Sequence, residues 1–199
     1  LDPARYPLLL QSVAGGNALS RWDILFIANG EGLQLRHGVT RTLAGNTLPM
    51  TFLDALDQQF HAECADYSSQ GLPFIGGWAI YAGYQLAGQI ESSLSLPAFK
   101  GPLPDALALR CPAAILYDRH AGVSLAVAET GSDNLISEAI AHAKQLGGTD
   151  SNKIWPRGTC NEDPPQRFTE AVETILQYIS AGDVFQVNVS RAWRGSFPN

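Results

Sequence analysis

Hydrophobic and polar positions divide the chain into segments whose period predicts their conformation. The strictest alternation runs from Val184 to Arg191, where Phe185, Val187 and Val189 interleave with Gln186, Asn188 and Ser190. A period of two places the first set on one face of a strand and the second on the other. Just before it, Phe168, Val172, Ile175, Leu176 and Ile179 recur at helical spacing with Glu170, Glu173 and Gln177 opposite, which predicts an amphipathic helix. Ala181-Gly182-Asp183 follows, and a glycine at that point supplies the left-handed residue that ends a helix.

From the other end, Arg5 to Ser12 reads as a short extended run entering a glycine-rich loop, Val13 to Leu19. Ile24 to Ala28 is a continuous apolar run of strand length, and Leu33 to Arg36 alternates; Asn29 to Gly32 between them predicts a hairpin. Thr51 is placed to cap a helix over Phe52 to Ala62, with Asp54 in the capping-box position and Phe52, Leu53, Leu56 and Phe60 as its buried stripe. Ala79 to Glu91 is aromatic and interrupted by Gly83 and Gly88, the pattern of a bulged central strand. Four prolines between Ser92 and Pro112 predict loop punctuated by short pieces. Ala113 to Asp118 and Val123 to Ala128 flank Arg119-His120-Ala121-Gly122 and predict a second hairpin. Ser132 is placed to cap a helix from Asp133 to Leu146 that Gly147-Gly148 stops, and the polar stretch Gly147 to Pro165 reads as a connection. Strands precede and follow the helices without regular alternation, so the expected class is α+β: antiparallel, sandwich-like sheets with helices packed outside. The expected organisation is a domain over 1–150, a linker over 151–165 and the start of a second domain over 166–199.

Composition narrows the function. Of 199 residues, 45% are apolar and 16% charged, an ordinary globular balance. A formal net charge of -6 with no cluster of Lys or Arg argues against a nucleic-acid partner. Cys64, Cys111 and Cys160 have no metal-ligand spacing, and Leu8-Leu9-Leu10 is too short to span a bilayer. With no basic, apolar leader at Leu1, a reduced cytoplasmic setting without membrane is expected; the chain also begins without Met. Four histidines, His37, His61, His120 and His142, fall on separate elements, and Asp54, Asp57, Glu63 and Asp66 cluster around one helix as a solvated face. Neither a phosphate-binding glycine loop nor a nucleophile elbow occurs.

The order of residues says more than the periods. Gly182-Asp183-Val184-Phe185-Gln186-Val187-Asn188-Val189-Ser190-Arg191, after a helix ending Tyr178-Ile179-Ser180, resembles the opening of the chorismate-binding catalytic domain shared by anthranilate synthase component I and aminodeoxychorismate synthase component I. Leu9-Leu10-Gln11-Ser12 is similar to the Leu-Leu-Glu-Ser segment at the start of the anthranilate enzymes. Pro73-Phe74-Ile75-Gly76-Gly77-Trp78 with Gly83-Tyr84 resembles a signature of both branches. Two features resemble the aminodeoxychorismate branch: Ser20-Arg21-Trp22-Asp23-Ile24, where anthranilate synthases usually carry serine in place of Asp23, and Gln186-Val187-Asn188, where they more often have Gln-Val-Val.

The resemblance spans about Tyr6 to Trp193 and implies the N-terminal part of the anthranilate synthase component I fold. It implies chorismate as substrate, exchange of its 4-hydroxyl for an amine, a bound magnesium ion (Mg2+) and ammonia from a glutamine amidotransferase subunit, with 4-amino-4-deoxychorismate serving folate synthesis. A hard cation suits carboxylate and hydroxyl oxygens and stabilises charge on a leaving oxygen. The family's attacking lysine, acid and base residues and magnesium ligands lie in segments beyond Trp193; Lys100, Lys144 and Lys153 do not match its lysine motif. No catalytic or metal-binding residue is therefore expected in this chain, which is expected to be inactive as an N-terminal fragment. The resemblance further implies a tryptophan site, with Ser12, Ser20 and Arg21 as candidates; Trp22 is expected to pack and Asp23 to hydrogen-bond nearby backbone. Gln186, Asn188 and Ser190 are candidates for a face supporting the chorismate cavity. The alternatives are anthranilate synthase component I and a stand-alone tryptophan-binding or partner-docking module.

Overall fold

The computed structural model describes residues 2–12, 20–64, 71–99, 101–146 and 158–196. The predicted loop Val13 to Leu19, the Gly147-Gly148 stop, Asp66, Lys100, Lys153 and 151–157 of the predicted linker lie outside the described residues. The chain divides into two compact units, Leu1–Gly147 and Gly148–Asn199.

The first unit runs β1 (Leu9–Leu10), β2 (Trp22–Ile27), β3 (Gly32–Arg36), β4 (Val39–Thr42), α1 (Phe52–Glu63), β5 (Gly77–Ala82), α2 (Ala87–Ile90), β6 (Ala106–Cys111), β7 (Ala113–Asp118), β8 (Val123–Ala128) and α3 (Asp133–Gln145). Two antiparallel four-stranded sheets result, ordered β1-β2-β7-β8 and β4-β3-β6-β5. The expected sandwich with outer helices is what forms. On one outer face Phe52 and Ala55 of α1 pack on Leu33, Leu35, Ala106 and Ala108. On the other, Leu135 and Ala139 of α3 pack on Ile27, Ala113 and Tyr6, whose hydroxyl is 2.8 Å from His142 Nδ1. Phe26 on the alternate face of β2, and Ala28 just past its end, meet Cys111, Leu109, Ala79 and Phe74 between the sheets. Burial pushes the Cys111 thiol up to about 11, so it is a packing residue rather than a nucleophile.

The predicted hairpin of the 24–28 and 33–36 strands does not form. β2 pairs with β1 and β7, whereas β3 pairs with β4 and β6. Asn29 Oδ1 accepts from Glu31 N at 2.9 Å and Gly30 takes φ 95°, so the chain steps from one sheet to the other. The step lets Ile27 lie under α3 while Leu33 and Leu35 lie under α1. β6 and β7 make the same crossing at Pro112, which has no N–H to give a ladder. The true hairpin is β3–β4, whose two-residue turn of His37 (φ 50°) and Gly38 (φ 74°) suits the twist of antiparallel strands. Asp105 accepts from His37 N at 2.8 Å and pins it.

β6 is a further correction, because the proline-rich window expected to be loop contains a fully paired inner strand. Its Ala106 and Ala108 are buried beneath Phe52 and Ala55 of α1, and the β3 backbone approaches it so closely at Gly32 that a Cβ on that glycine would stand 2.3 Å from Ala108 O. The expected central strand Ala79 to Glu91 stops at Ala82 and is an edge; a 3-10 turn (Tyr84–Leu86) and α2 follow, holding Gly88 in helix. The β7–β8 hairpin forms as predicted, Ala113 facing Ala128 and Asp118 facing Val123. Thr51 caps α1: its Oγ1 accepts from Asp54 N at 3.1 Å and donates to Asp54 Oδ2 at 2.7 Å. Within the predicted stripe Phe52 is buried but Phe60 is 49% exposed, and Ala55 takes the inner position instead.

The second unit contains β9 (Thr159–Glu162), α4 (Pro165–Ala181) and β10 (Trp193–Ser196). α4 ends on Gly182 in the left-handed region, φ 83°, as predicted, and starts on Pro165, a residue expected to lie in the connection. Val184 to Arg191 does not form the predicted strand; the antiparallel partner of β9 is β10, Trp193 facing Glu162. Phe185 is 95% exposed, so the apolar face of that segment meets no layer among the described residues. β9 itself lies inside the stretch expected to be linker.

Candidate functional site

The N-terminal candidates surround the start of β2, where the antiparallel register sets Trp22 opposite Asp118 and Asp23 opposite Tyr117. Charges flanking these positions cross-pair. Arg21 donates from Nε (3.0 Å) and Nη2 (2.6 Å) to Asp118 Oδ2. Arg119 donates from Nε to Asp23 Oδ1 at 2.8 Å and from Nη2 to Asp23 Oδ2 at 2.9 Å, a two-point grip on the carboxylate. Asp118 Oδ1 also accepts from the N–H groups of His120 (2.9 Å) and Ala121 (3.2 Å), which shapes the β7–β8 turn. The Arg119 N–H closes the ladder on Arg21 O at 2.8 Å.

Both carboxylates are buried as residues while both guanidinium groups reach the surface. The Arg21 hydrogen bonds, assisted by the His120 and Ala121 N–H groups, hold Asp118 down at about 2. Arg119 and the Ser12 N–H hold Asp23 below the usual carboxylate range. Burial opposes both shifts. Arg21 further stacks over the Trp22 ring at 4.7 Å.

Ser12 and Arg21 are thus brought to one corner. The Ser12 N–H donates to Asp23 Oδ1 at 3.3 Å, and Arg21 stands on the neighbouring pair. Ser20, half-buried, adjoins Arg21. Arg21 is engaged by Asp118 rather than presented as a free cation. Sequence reasoning missed Asp118 and Arg119. Their signal was the Asp-Arg dipeptide at the hairpin turn, the charge complement of Arg21 and Asp23 across one register.

Gln186, Asn188 and Ser190 belong to the other unit and are exposed. Ser190 lines a groove of about 220 Å³ with Arg167, Phe168, Val189 and Arg191. Asp163 organises its rim, accepting from Arg194 Nη1 at 2.7 Å and Ala192 N at 3.3 Å, and Arg191 pairs with Glu162 at 2.9 Å. Among the described residues no group of three or more His, Cys, Asp or Glu side chains could hold a metal ion. The described residues therefore do not fit the magnesium that the resemblance implies, and no step is assigned through it.

The model of the chorismate binding enzyme family matches residues 20–199. The chain belongs to that family. Anthranilate synthase component 1 of Thermus thermophilus is 29% identical over 196 residues, which is 95% of this chain and 42% of that protein. An anthranilate synthase component I-like protein of Synechocystis is 28% identical over 119 residues, 60% of this chain and 24% of that protein. The crystal structure of anthranilate synthase component I from Streptococcus pneumoniae shares the fold, with a TM-score of 0.63 at 18% identity over 86% of this chain and 41% of that one. The chain thus spans about two fifths of the length of the Thermus thermophilus protein. No helix among the described residues is long and apolar enough to cross a membrane.

Proposed function

We propose that this chain is part of a chorismate-utilising synthase of the aminodeoxychorismate type, which replaces the 4-hydroxyl of chorismate with an amine. The observation that carries the choice of branch is Asp23. Its carboxylate is gripped at two points by Arg119 at 2.8 and 2.9 Å. The serine usual in the anthranilate branch would leave that guanidinium with no carboxylate to meet, so Asp23 and Arg119 act as a matched pair. Membership of the chorismate binding family supports the substrate class.

Ammonia is supplied by a glutamine amidotransferase subunit, and magnesium is held by protein outside the described residues. Tryptophan is the ligand of the Ser12, Ser20 and Arg21 corner, with Arg21 serving through the shape that its pair with Asp118 imposes. Gln186, Asn188 and Ser190 support the chorismate cavity from the second unit. The 199-residue chain alone is expected not to turn chorismate over: Lys144 does not match the family's lysine motif, and no metal-holding group is among the described residues.

A second reading, anthranilate synthase component I, is favoured by the two relatives, an anthranilate synthase component 1 and an anthranilate synthase component I-like protein. The deciding experiment incubates the longest natural polypeptide containing this chain with chorismate, ammonium and Mg2+, and resolves the products by chromatography. 4-Amino-4-deoxychorismate supports the first reading. Anthranilate refutes it and establishes the second.

A further inference from the structure

Among the described residues β5 is the last strand of its sheet and pairs with β6 alone. The Gly83 N–H donates to Asp105 O at 2.9 Å, continuing the register in which Ala82 faces Ala106. Antiparallel ladders alternate, so the N–H and C=O groups of Trp78, Ile80 and Ala82 point to the free side. Soluble proteins blunt such edges with charge, proline or a bulge. β5 reads Gly-Trp-Ala-Ile-Tyr-Ala and carries no charge or proline.

The side chains of Trp78 and Ile80 face α1, and with Leu53, Leu56 and Phe60 they line an open groove of about 650 Å³ along this edge. Ile80 is 56% and Phe60 49% exposed, so an apolar floor lies beside a row of backbone groups that have no ladder partner among the described residues. Asp54 and Asp57 form the rim of the groove on the helix side. Two copies meeting edge to edge would bring these acidic rims together on a chain of formal net charge -6, which disfavours self-pairing.

We propose that the β5 edge and the α1 groove bind an extended segment of a partner polypeptide, apolar at alternate positions and carrying Lys or Arg where it passes the helix. Backbone pairing to Trp78, Ile80 and Ala82 supplies the register, the groove takes the apolar side chains and Asp57 meets the basic ones. The charge of the rim sets the sign of the partner, and raising salt weakens the complex because Asp57 is exposed.

The test is a fluorescence-anisotropy titration of the 199-residue chain with a labelled octapeptide alternating valine with threonine, arginine and lysine. Its twin carries glutamate in place of arginine and lysine. The basic peptide is expected to bind saturably and at least about tenfold more tightly than its acidic twin, with the difference shrinking at high salt. Asp57→Lys, at an exposed helix position, is expected to reverse the preference. Ile80→Asp, which puts a charge on the edge, is expected to weaken binding at least about tenfold while the circular dichroism spectrum is unchanged; should that variant unfold, Asp57→Lys still decides. Equal affinity for the two peptides, no saturation up to about 1 mM, or an unaltered preference in Asp57→Lys overturns the proposal. So does a dimer of the unmodified chain that Ile80→Asp dissolves.

Discussion

Replacing Arg110 by methionine should cost this fold about 3 kcal/mol, and the reason lies in what the guanidinium leaves behind. Arg110 sits on β6 with its side chain 9% exposed. It donates to Glu129 Oε1 at 2.8 Å, to Glu129 Oε2, to Glu63 Oε2 and to Gly77 O at 2.9 Å. One side chain therefore ties the end of α1, the start of β5 and the segment that follows β8 of the opposite sheet. Burial opposes its charge, but the two carboxylates outweigh burial and hold the guanidinium above its ordinary value.

Methionine keeps most of the volume and removes the charge. Glu129, only 16% exposed, is then left without a cation, whereas Glu63 at 36% can turn to water. Breaking a buried pair from one side typically costs about 3–5 kcal/mol, and the partial exposure of Glu63 places Arg110→Met at the low end. Removing the orphaned charge as well, in Arg110→Met with Glu129→Met, should recover about 2 kcal/mol of that loss, since an apolar pair of similar size needs no counter-ion. Urea titration followed by far-UV circular dichroism measures all three proteins. A double variant no more stable than the single one would refute the reasoning, because the loss would then come from packing or from the Gly77 contact. Arg110→Lys separates geometry from charge: an ammonium cannot bridge Glu63, Glu129 and Gly77 O together, so it should fall between the parent and Arg110→Met.

Three further outcomes follow from the same contacts. Asp118 has a folded value of about 2, depressed first by Arg21, so the stability it contributes is complete above its ordinary value near 3.8 and is lost as pH falls through about 2; melting temperature should drop across that window in the parent and drop less steeply in Asp118→Asn. Thr51→Ala removes the acceptor of the Asp54 N–H and should cost about 1 kcal/mol in urea titration, with Thr51→Ser close to the parent. Gly32→Ala places a methyl 2.3 Å from Ala108 O, a backbone atom of a paired strand that cannot swing away, and should cost about 2 kcal/mol or more by the same assay.

How much of this was legible depends on the range over which each signal acts. The start of α1 and the end of α4 were readable because their causes are local: Thr51 reaches its own third residue, and Gly182 at φ 83° takes a conformation that costs a side chain strain; the expected Ser132 cap does not form, its side chain bonding no N–H of α3. The β7–β8 hairpin was readable because its two runs lie four residues apart with a glycine between. Sheet membership was not. Nothing in Ile24 to Arg36 says that Ile27 will lie under one helix and Leu33 under another, since two adjacent apolar strands fit a hairpin and a crossing equally well until α1 and α3 are in place. β6 was hidden because Ala106 and Ala108 carry little of the apolar, β-branched signal of a strand, and the helix α1 that buries them lies far away in the chain.

The corner of Arg21 and Asp23 shows the same division. Its N-terminal half was found by resemblance, but its electrostatic partners, Asp118 and Arg119, lie nearly a hundred residues on and became visible only through the register of β2 with β7. Val184 to Arg191 marks the opposite limit. Its alternation states which side chains would share a face, and that statement holds for any extended chain. A strand also needs a neighbour to accept its ladder, and the neighbour available in the second unit, β9, pairs instead with Trp193–Ser196. Phe185 at 95% exposure is the consequence: the apolar face is written in the chain, and the surface that would cover it is not among the described residues.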